Sequence, residues 1–236
     1  MTIDERYKIL FEPVKIGPVV APNRFYQVPH CNGMGYRDVS GMVALRAIKA
    51  EGGWGTVCTE QVEIHHTSEI TPFIELRIWD DRDVPLLARI SSAVHEYGSL
   101  AGIELAYNGI NGPNFYSREV PLGPSDLPTL TFTNDPVQAR AMTKSDIADL
   151  RRWHRKAALR AKSAGFDIIY VYGAHGFGAP QHFISRRFNH RTDEYGGTLK
   201  NRARLLLELI EDTKEAVGNT CAVACRIGVD ELIGKE

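Results

Sequence analysis

Ile168, Ile169, Tyr170, Val171 and Tyr172 form a run that is apolar on both faces of an extended segment, so a strand built from it must be covered above and below. Strands with one wet face alternate apolar and polar residues, whereas unbroken β-branched and aromatic runs belong to parallel sheets covered by helices. Comparable runs recur at 24–29, 56–64, 100–105 and 222–229. The segments 41–50, 81–97, 143–164 and 199–217 carry helical spacing, as in Leu205, Leu206, Leu209 and Ile210. Strands alternating with helices, without internal repeat, predict βαβ units on one parallel sheet. Thr143 and Asp146 have the spacing of a capping pair for the third helix.

Two segments depart from this rhythm. Residues 9–11 and 14–16 are expected to form a small hairpin closing the bottom of a barrel. Residues 107–142, with Pro113, Pro121, Pro124, Pro128 and Pro136, are too long for a bare connector and are expected to form a substrate-side excursion.

The 236 residues, 43% hydrophobic and 24% charged, suffice for one sizeable core. A formal charge of -1 and a pI of 6.7 give no field for nucleic acid. Arg186, Arg187, His190 and Arg191 are a local cluster, read as a solvated or phosphate-contacting loop. No apolar run approaches membrane-spanning length, and the first residues are polar and acidic where a signal peptide is basic and then apolar. No membrane partner and a cytoplasmic location are therefore expected. Cys31, Cys58, Cys221 and Cys225 lack zinc-type pairing, so reduced thiols and no metal site are expected. Cys221 and Cys225, four apart, are expected to share a strand face as buried small hydrophobes.

Chemistry concentrates where strands end. Tyr172 and His175 leave the carboxyl end of the 168–172 run together, the place where α/β barrels put catalytic residues. Arg226 stands inside an apolar strand pattern and needs an anionic partner, for which Glu104, inside the run 100–105, is the candidate. The segment from Gly173 to Gly178 does not match G-x-G-x-x-G and opens a loop, so it is no dinucleotide fingerprint. A lone cysteine such as Cys31 is more often an inert core residue.

The Gly-Ala-His-Gly segment at Gly173, followed by Arg191-Thr192-Asp193-Glu194-Tyr195-Gly196-Gly197 and Asn201-Arg202, resembles the old yellow enzyme family of flavin-dependent barrel oxidoreductases. The stretch Asn23-Arg24-Phe25-Tyr26-Gln27-Val28-Pro29-His30-Cys31, with Glu51-Gly52-Gly53-Trp54 and Tyr170-Val171-Tyr172, looks like its amine dehydrogenase branch, which contains trimethylamine, dimethylamine and histamine dehydrogenases. The resemblance implies FMN held by Val28, Pro29, His30, Glu104 and Arg226, with Cys31 placed for a covalent bond to the flavin. Tyr172 and His175 are implied as catalytic residues, and Gln61 and Phe177 as substrate-pocket residues. Arg191 to Gly197 is read as a structural loop. Gln61 and Phe177 both stand where the trimethylamine enzymes have Tyr. Gln61 trades cation–π recognition for an amide, which favours a substrate retaining an N–H, of dimethylamine or histamine type.

The fold expected is a (β/α)8 TIM barrel truncated after about five strands, the barrel's amino-terminal part. For the complete protein the resemblance implies a 4Fe-4S cluster, nucleotide-binding domains, an electron-transfer flavoprotein-type acceptor, a small amine substrate and a homodimer. Two alternatives stay open: an NAD(P)H-dependent ene or dienoyl reductase on the same barrel, and a non-catalytic fragment unable to hold FMN tightly.

Overall fold

A computed structural model describes residues 4–70, 75–129 and 137–231. Both chain ends and residues 130–136 of the proline-rich excursion lie outside the described residues. In chain order the elements are β1 (Val14–Ile16), β2 (Val19–Ala21), β3 (Tyr26–Gln27), α1 (Val39–Glu51), β4 (Thr56–Glu63), β5 (Leu76–Arg77), α2 (Val84–His95) and β6 (Leu100–Ala106). There follow β7 (Leu122–Gly123), β8 (Leu127–Pro128), β9 (Gln138–Ala141), α3 (Lys144–Ser163), β10 (Ile168–Gly173), α4 (Ala179–Ile184), α5 (Leu199–Arg202), α6 (Arg204–Val217) and β11 (Ala222–Ile227).

The main sheet runs β11-β10-β6-β4-β3 with every pair parallel, and β5 adds briefly to β4. Its ends approach each other: Arg226 on β11 donates to the carbonyl of Pro29, just past β3, at 3.0 Å. The sheet is therefore curled into a half-barrel, with side chains alternating between the concave interior and the helix-covered face. On β10, Ile169 and Val171 pack outward with α2, α3 and α6, while Ile168, Tyr170 and Tyr172 face the interior. This two-sided burial is the reason the run shows no alternation.

The helices bind the outer face through the stripes anticipated from spacing, Leu87, Ile90 and Val94 on α2 and Leu205, Leu206 and Leu209 on α6. Thr143 and Asp146 form a reciprocal capping box at the start of α3. Ile103, fully buried on the outer face of β6, should cost about 2–5 kcal/mol when cut to Ala. The urea midpoint checks this, with flavin content unchanged because Ile103 lies on the face away from the site.

Three expectations are corrected. Residues 9–11 are no strand but the end of a 3-10 turn, Glu5–Phe11; the hairpin at the barrel bottom is β1 with β2, turning through Gly17 at φ 57°, a backbone that glycine adopts without strain. Cys221 precedes β11 and is buried, its thiol donating to the Phe166 carbonyl at 3.3 Å, while Cys225 is exposed, so the two do not form a shared buried face. The Arg186–Arg191 cluster is not simply solvated: Arg191 donates to the carbonyls of Met142 at 2.6 Å and Pro124 at 3.2 Å and pairs with Asp193, pinning its loop to the excursion. The described part of the excursion forms a small sheet, β7-β9-β8, and sends Asn108, near its start, to Gln61 in the site.

Candidate active site

A bulge on β4 sets the site's inner wall. Pairing with β6 slips between Cys58 and Gln61, so Gln61 rather than Glu60 comes opposite Glu104. Such an extra residue re-aims the side chains that follow it. Gln61 is buried, its side-chain amide donating to Asn108 Oδ1 at 3.2 Å. Glu60 is turned outward and becomes a clamp, accepting the backbone N–H groups of Leu76 at 3.0 Å and Asn32 at 3.3 Å.

Arg226 and Glu104 meet as their burial in apolar strands anticipates, Nη1 to Oε2 at 3.4 Å. Burial pushes the Glu104 carboxyl up to about 7, and the Arg226 charge pulls it the other way. The other arm of Arg226 donates to His175 Nε2 at 3.2 Å. A guanidinium has no acceptor, so Nε2 must present its lone pair and the ring proton sits on Nδ1. Nδ1 lies 2.9 Å from the Tyr172 hydroxyl oxygen, which it therefore addresses as donor. The Tyr172 O–H is thereby left to point elsewhere. Burial and then the Arg226 charge hold the His175 pKa down, consistent with a neutral ring.

Among the described residues, His175 is one of three non-glycine residues with positive φ, at 61°, and the Gly176 that follows has φ 75°. This strained turn is held from α4: Gln181 accepts the Gly176 N–H at 2.9 Å, and His182 Nε2 donates to the Gly176 carbonyl at 3.0 Å. Gln181 and His182 are supporting residues that strand-end reasoning missed, although they stand directly after the Gly-rich turn.

The turn after β3 forms the opposite wall. Val28 and His30 are exposed on the rim, and Pro29 contributes its carbonyl to Arg226. The fully buried Arg46 of α1 fixes this turn, donating to the His30 carbonyl at 2.6 Å and to Gln27. Cys31 as a residue is open to solvent, yet its thiol faces inward, 3.5 Å from Glu75 Oε1. Burial and the neighbouring Glu75 push the thiol up to about 12. Glu75 was not singled out in the sequence; its only signal was a carboxylate in the apolar run Phe73 to Ile78.

Cys31, Gln61, Ile70, Glu75, Tyr172, His175 and Phe177 enclose a pocket of about 240 Å³ at the carboxyl ends of the strands. The anticipated residues Cys31, Gln61, Tyr172, His175 and Phe177 thus converge, and Arg226 with Glu104 lies behind His175. A wider groove of about 570 Å³ beside Arg191 is bordered by groups already committed to structural hydrogen bonds and is remote from this chemistry.

A curled parallel sheet with a Tyr–His pair, an arginine and an acid at its strand ends fits the layout of a barrel enzyme. The chain belongs to the NADH:flavin oxidoreductase / NADH oxidase family, whose sequence profile matches residues 9–236. It is 42% identical to dimethylamine dehydrogenase of Hyphomicrobium sp. (strain x), over 99% of this chain and 32% of that protein. It is similar to the solved histamine dehydrogenase from Rhizobium sp. 4-9, with 66% identity and a TM-score of 0.95 over 98% of this chain and 33% of that one. The old yellow enzyme homologue from Zymomonas mobilis matches with 32% identity and a TM-score of 0.80, over 92% of this chain and 62% of that one. The chain thus spans about a third of the length of the amine dehydrogenases it matches.

Proposed function

We propose that the protein is an FMN-dependent amine dehydrogenase, oxidising an amine that is dimethylamine-like at its reacting nitrogen. The observation that carries this reading is the Tyr172 hydroxyl, freed by the Arg226–His175 contact to act as a donor in a largely apolar pocket. Amine oxidation requires the nitrogen lone pair. A hydroxyl donor selects the neutral amine, because an ammonium has no lone pair to accept with. Burial, its largest cause, raises the Tyr172 pKa, so the hydroxyl keeps its proton.

The residues fit FMN by the chemistry of their donors. Arg226 supplies a cation for the N1 and C2-carbonyl edge, and Glu104 an acceptor on the pyrimidine side. Val28, Pro29 and His30 line the turn alongside, and Cys31 is the candidate for a covalent bond. Bound there, FMN supplies a two-electron acceptor at N5 for hydride from the substrate's α-carbon. The substrate becomes an imine, which water hydrolyses to an aldehyde and a smaller amine. Gln61 offers a carbonyl to the substrate N–H, and Phe177 packs on its carbon atoms. By resemblance we extend the reading to a 4Fe-4S cluster, an electron-transfer flavoprotein-type acceptor and a cytoplasmic homodimer for the complete protein.

The test is anaerobic addition of dimethylamine, and separately of NADPH, to the full-length flavoprotein. Bleaching of the flavin by dimethylamine and not by NADPH is expected. The reverse result assigns the site to an NAD(P)H-dependent ene reductase, the reading that Tyr172 argues against.

A further inference from the structure

We infer that Arg46 and Glu60 are positioning residues for the bond between Cys31 and FMN: each grips the backbone on one side of Cys31, and covalent capture of the flavin depends on both. The inference rests on the reading of Cys31 as the residue that bonds the flavin.

Cys31 lines the pocket, whereas Arg46 and Glu60 stand behind its wall. Ahead of Cys31, Arg46 donates to the His30 carbonyl at 2.6 Å. Its other arm donates to Gln27 Oε1 at 3.2 Å, and the same oxygen accepts the Cys58 N–H at 3.2 Å, so this grip is braced against β4. After Cys31, Glu60 Oε2 accepts the Asn32 N–H at 3.3 Å. Its Oε1 accepts the Leu76 N–H at 3.0 Å, which ties the segment carrying Cys31 to the segment carrying Glu75. The thiol is thereby held 3.5 Å from Glu75 Oε1, facing the pocket, in a residue that is otherwise open to solvent.

Both side chains are fully buried. Burial lowers the Arg46 pKa and raises that of Glu60, and the opposite charge across the turn offsets part of each shift. Arg46 also leaves its Nε without a hydrogen-bond partner among the described residues. Buried charges are a costly means of stabilising a turn, since apolar residues of similar size do so as well; what such charges supply here is one fixed geometry. Cys31 is the residue for which geometry decides. The thiolate is the nucleophile, and burial with the neighbouring Glu75 holds the thiol up at about 12, so thiolate is scarce. A scarce nucleophile bonds at an appreciable rate only when it is held against its target. Replacing a ring C–H of the flavin by Sγ releases two protons and two electrons, and dioxygen takes up both as hydrogen peroxide.

The experiment compares, in the full-length flavoprotein at a fixed time after expression, the flavin that stays on the chain after denaturation, by intact mass, with the total flavin by absorbance beforehand. Glu60→Gln keeps the shape of the side chain but offers one acceptor oxygen to two N–H groups, and should lower the covalent share about tenfold, the scale of one hydrogen bond to a charged group. Arg46→Met should lower it as far, and Arg46→Lys, which keeps a donor for the His30 carbonyl, should recover part of it. Ile103→Ala is the control for a structural effect: it lowers stability and leaves the share unchanged. If Arg46→Met does not fold, Glu60→Gln and Arg46→Lys carry the test. A covalent share in both of these equal to that of wild type overturns the inference while leaving the Cys31 reading intact. If wild type itself carries no covalent flavin, the Cys31 reading fails, and alkylation of Cys31 by iodoacetamide then tests the grip: a faster rate in Glu60→Gln supports it, and equal rates overturn it.

Discussion

Arg226→Met should leave the protein nearly as stable as wild type at pH 5.5 and destabilise it by about 2 kcal/mol at pH 8.5, while abolishing FMN retention. The first effect follows from Glu104. Its folded pKa, about 7, lies above its ordinary value near 4.5, so the folded state binds the extra proton. A raised acid contributes stability that is fully present below the unfolded pKa and is lost as pH rises through the folded one. In wild type that loss ends near pH 7, because Arg226 supports the ionised form, 3.4 Å away. Without the guanidinium the folded pKa climbs further and the loss continues, at about 1.4 kcal/mol per pH unit. Urea midpoints at the two pH values measure it. Adding Glu104→Gln should flatten the profile; parallel profiles for wild type and Arg226→Met would show that the pair is electrostatically idle. The loss of FMN follows from the proposed reading, in which Arg226 faces the anionic edge of the reduced ring, and is read by absorbance after gel filtration.

Much of this arrangement was legible because burial leaves a strong mark on composition. An apolar run marked β10 and a largely apolar run marked β6, and the two charges Glu104 and Arg226, each inside a strand pattern, could be paired from the sequence. The Tyr172–His175 spacing likewise placed both side chains at one strand end. What escaped was set by tertiary context. The bulge that turns Gln61 inward and Glu60 outward leaves no pattern, since Thr59, Glu60 and Gln61 read as three polar residues in a row. Glu75 reaches the pocket through a segment joined to the sheet by a two-residue strand, too short for periodicity to register. Arg46 sits among apolar positions of α1, where a long basic residue looks like a solvated one, and only its bonds to Gln27 and His30 explain its complete burial. Residues 9–11 misled because an apolar triplet is ambiguous, and Asp4, accepting the Arg6 N–H at 3.0 Å, favours the 3-10 turn.

Tyr172→Phe should lower kcat/KM for the amine substrate on the order of 100-fold, the scale for losing one positioned proton-handling group. The substitution keeps the ring packed against Ala106 and Ala174, so fold and flavin binding should survive. The more informative variant is the pair with His175→Gln. Glutamine can still accept from Arg226 through its carbonyl, but it does not reproduce the Nδ1–H that holds the Tyr172 oxygen at 2.9 Å. If His175 acts by aiming the Tyr172 hydroxyl, removing the hydroxyl removes what His175 had to offer. The double variant should then be little slower than Tyr172→Phe alone, as for residues that work as a unit. Full additivity of the two losses would mean that His175 touches the substrate by its own route, and the assignment of Tyr172 as the sole donor to the amine would have to be given up. A pH profile separates the cases further. Loss of the donor weakens discrimination against the ammonium, so binding of the protonated amine should suffer less than binding of the free base, and non-productive occupancy by the ammonium should make the apparent kcat fall more steeply toward acid pH in Tyr172→Phe.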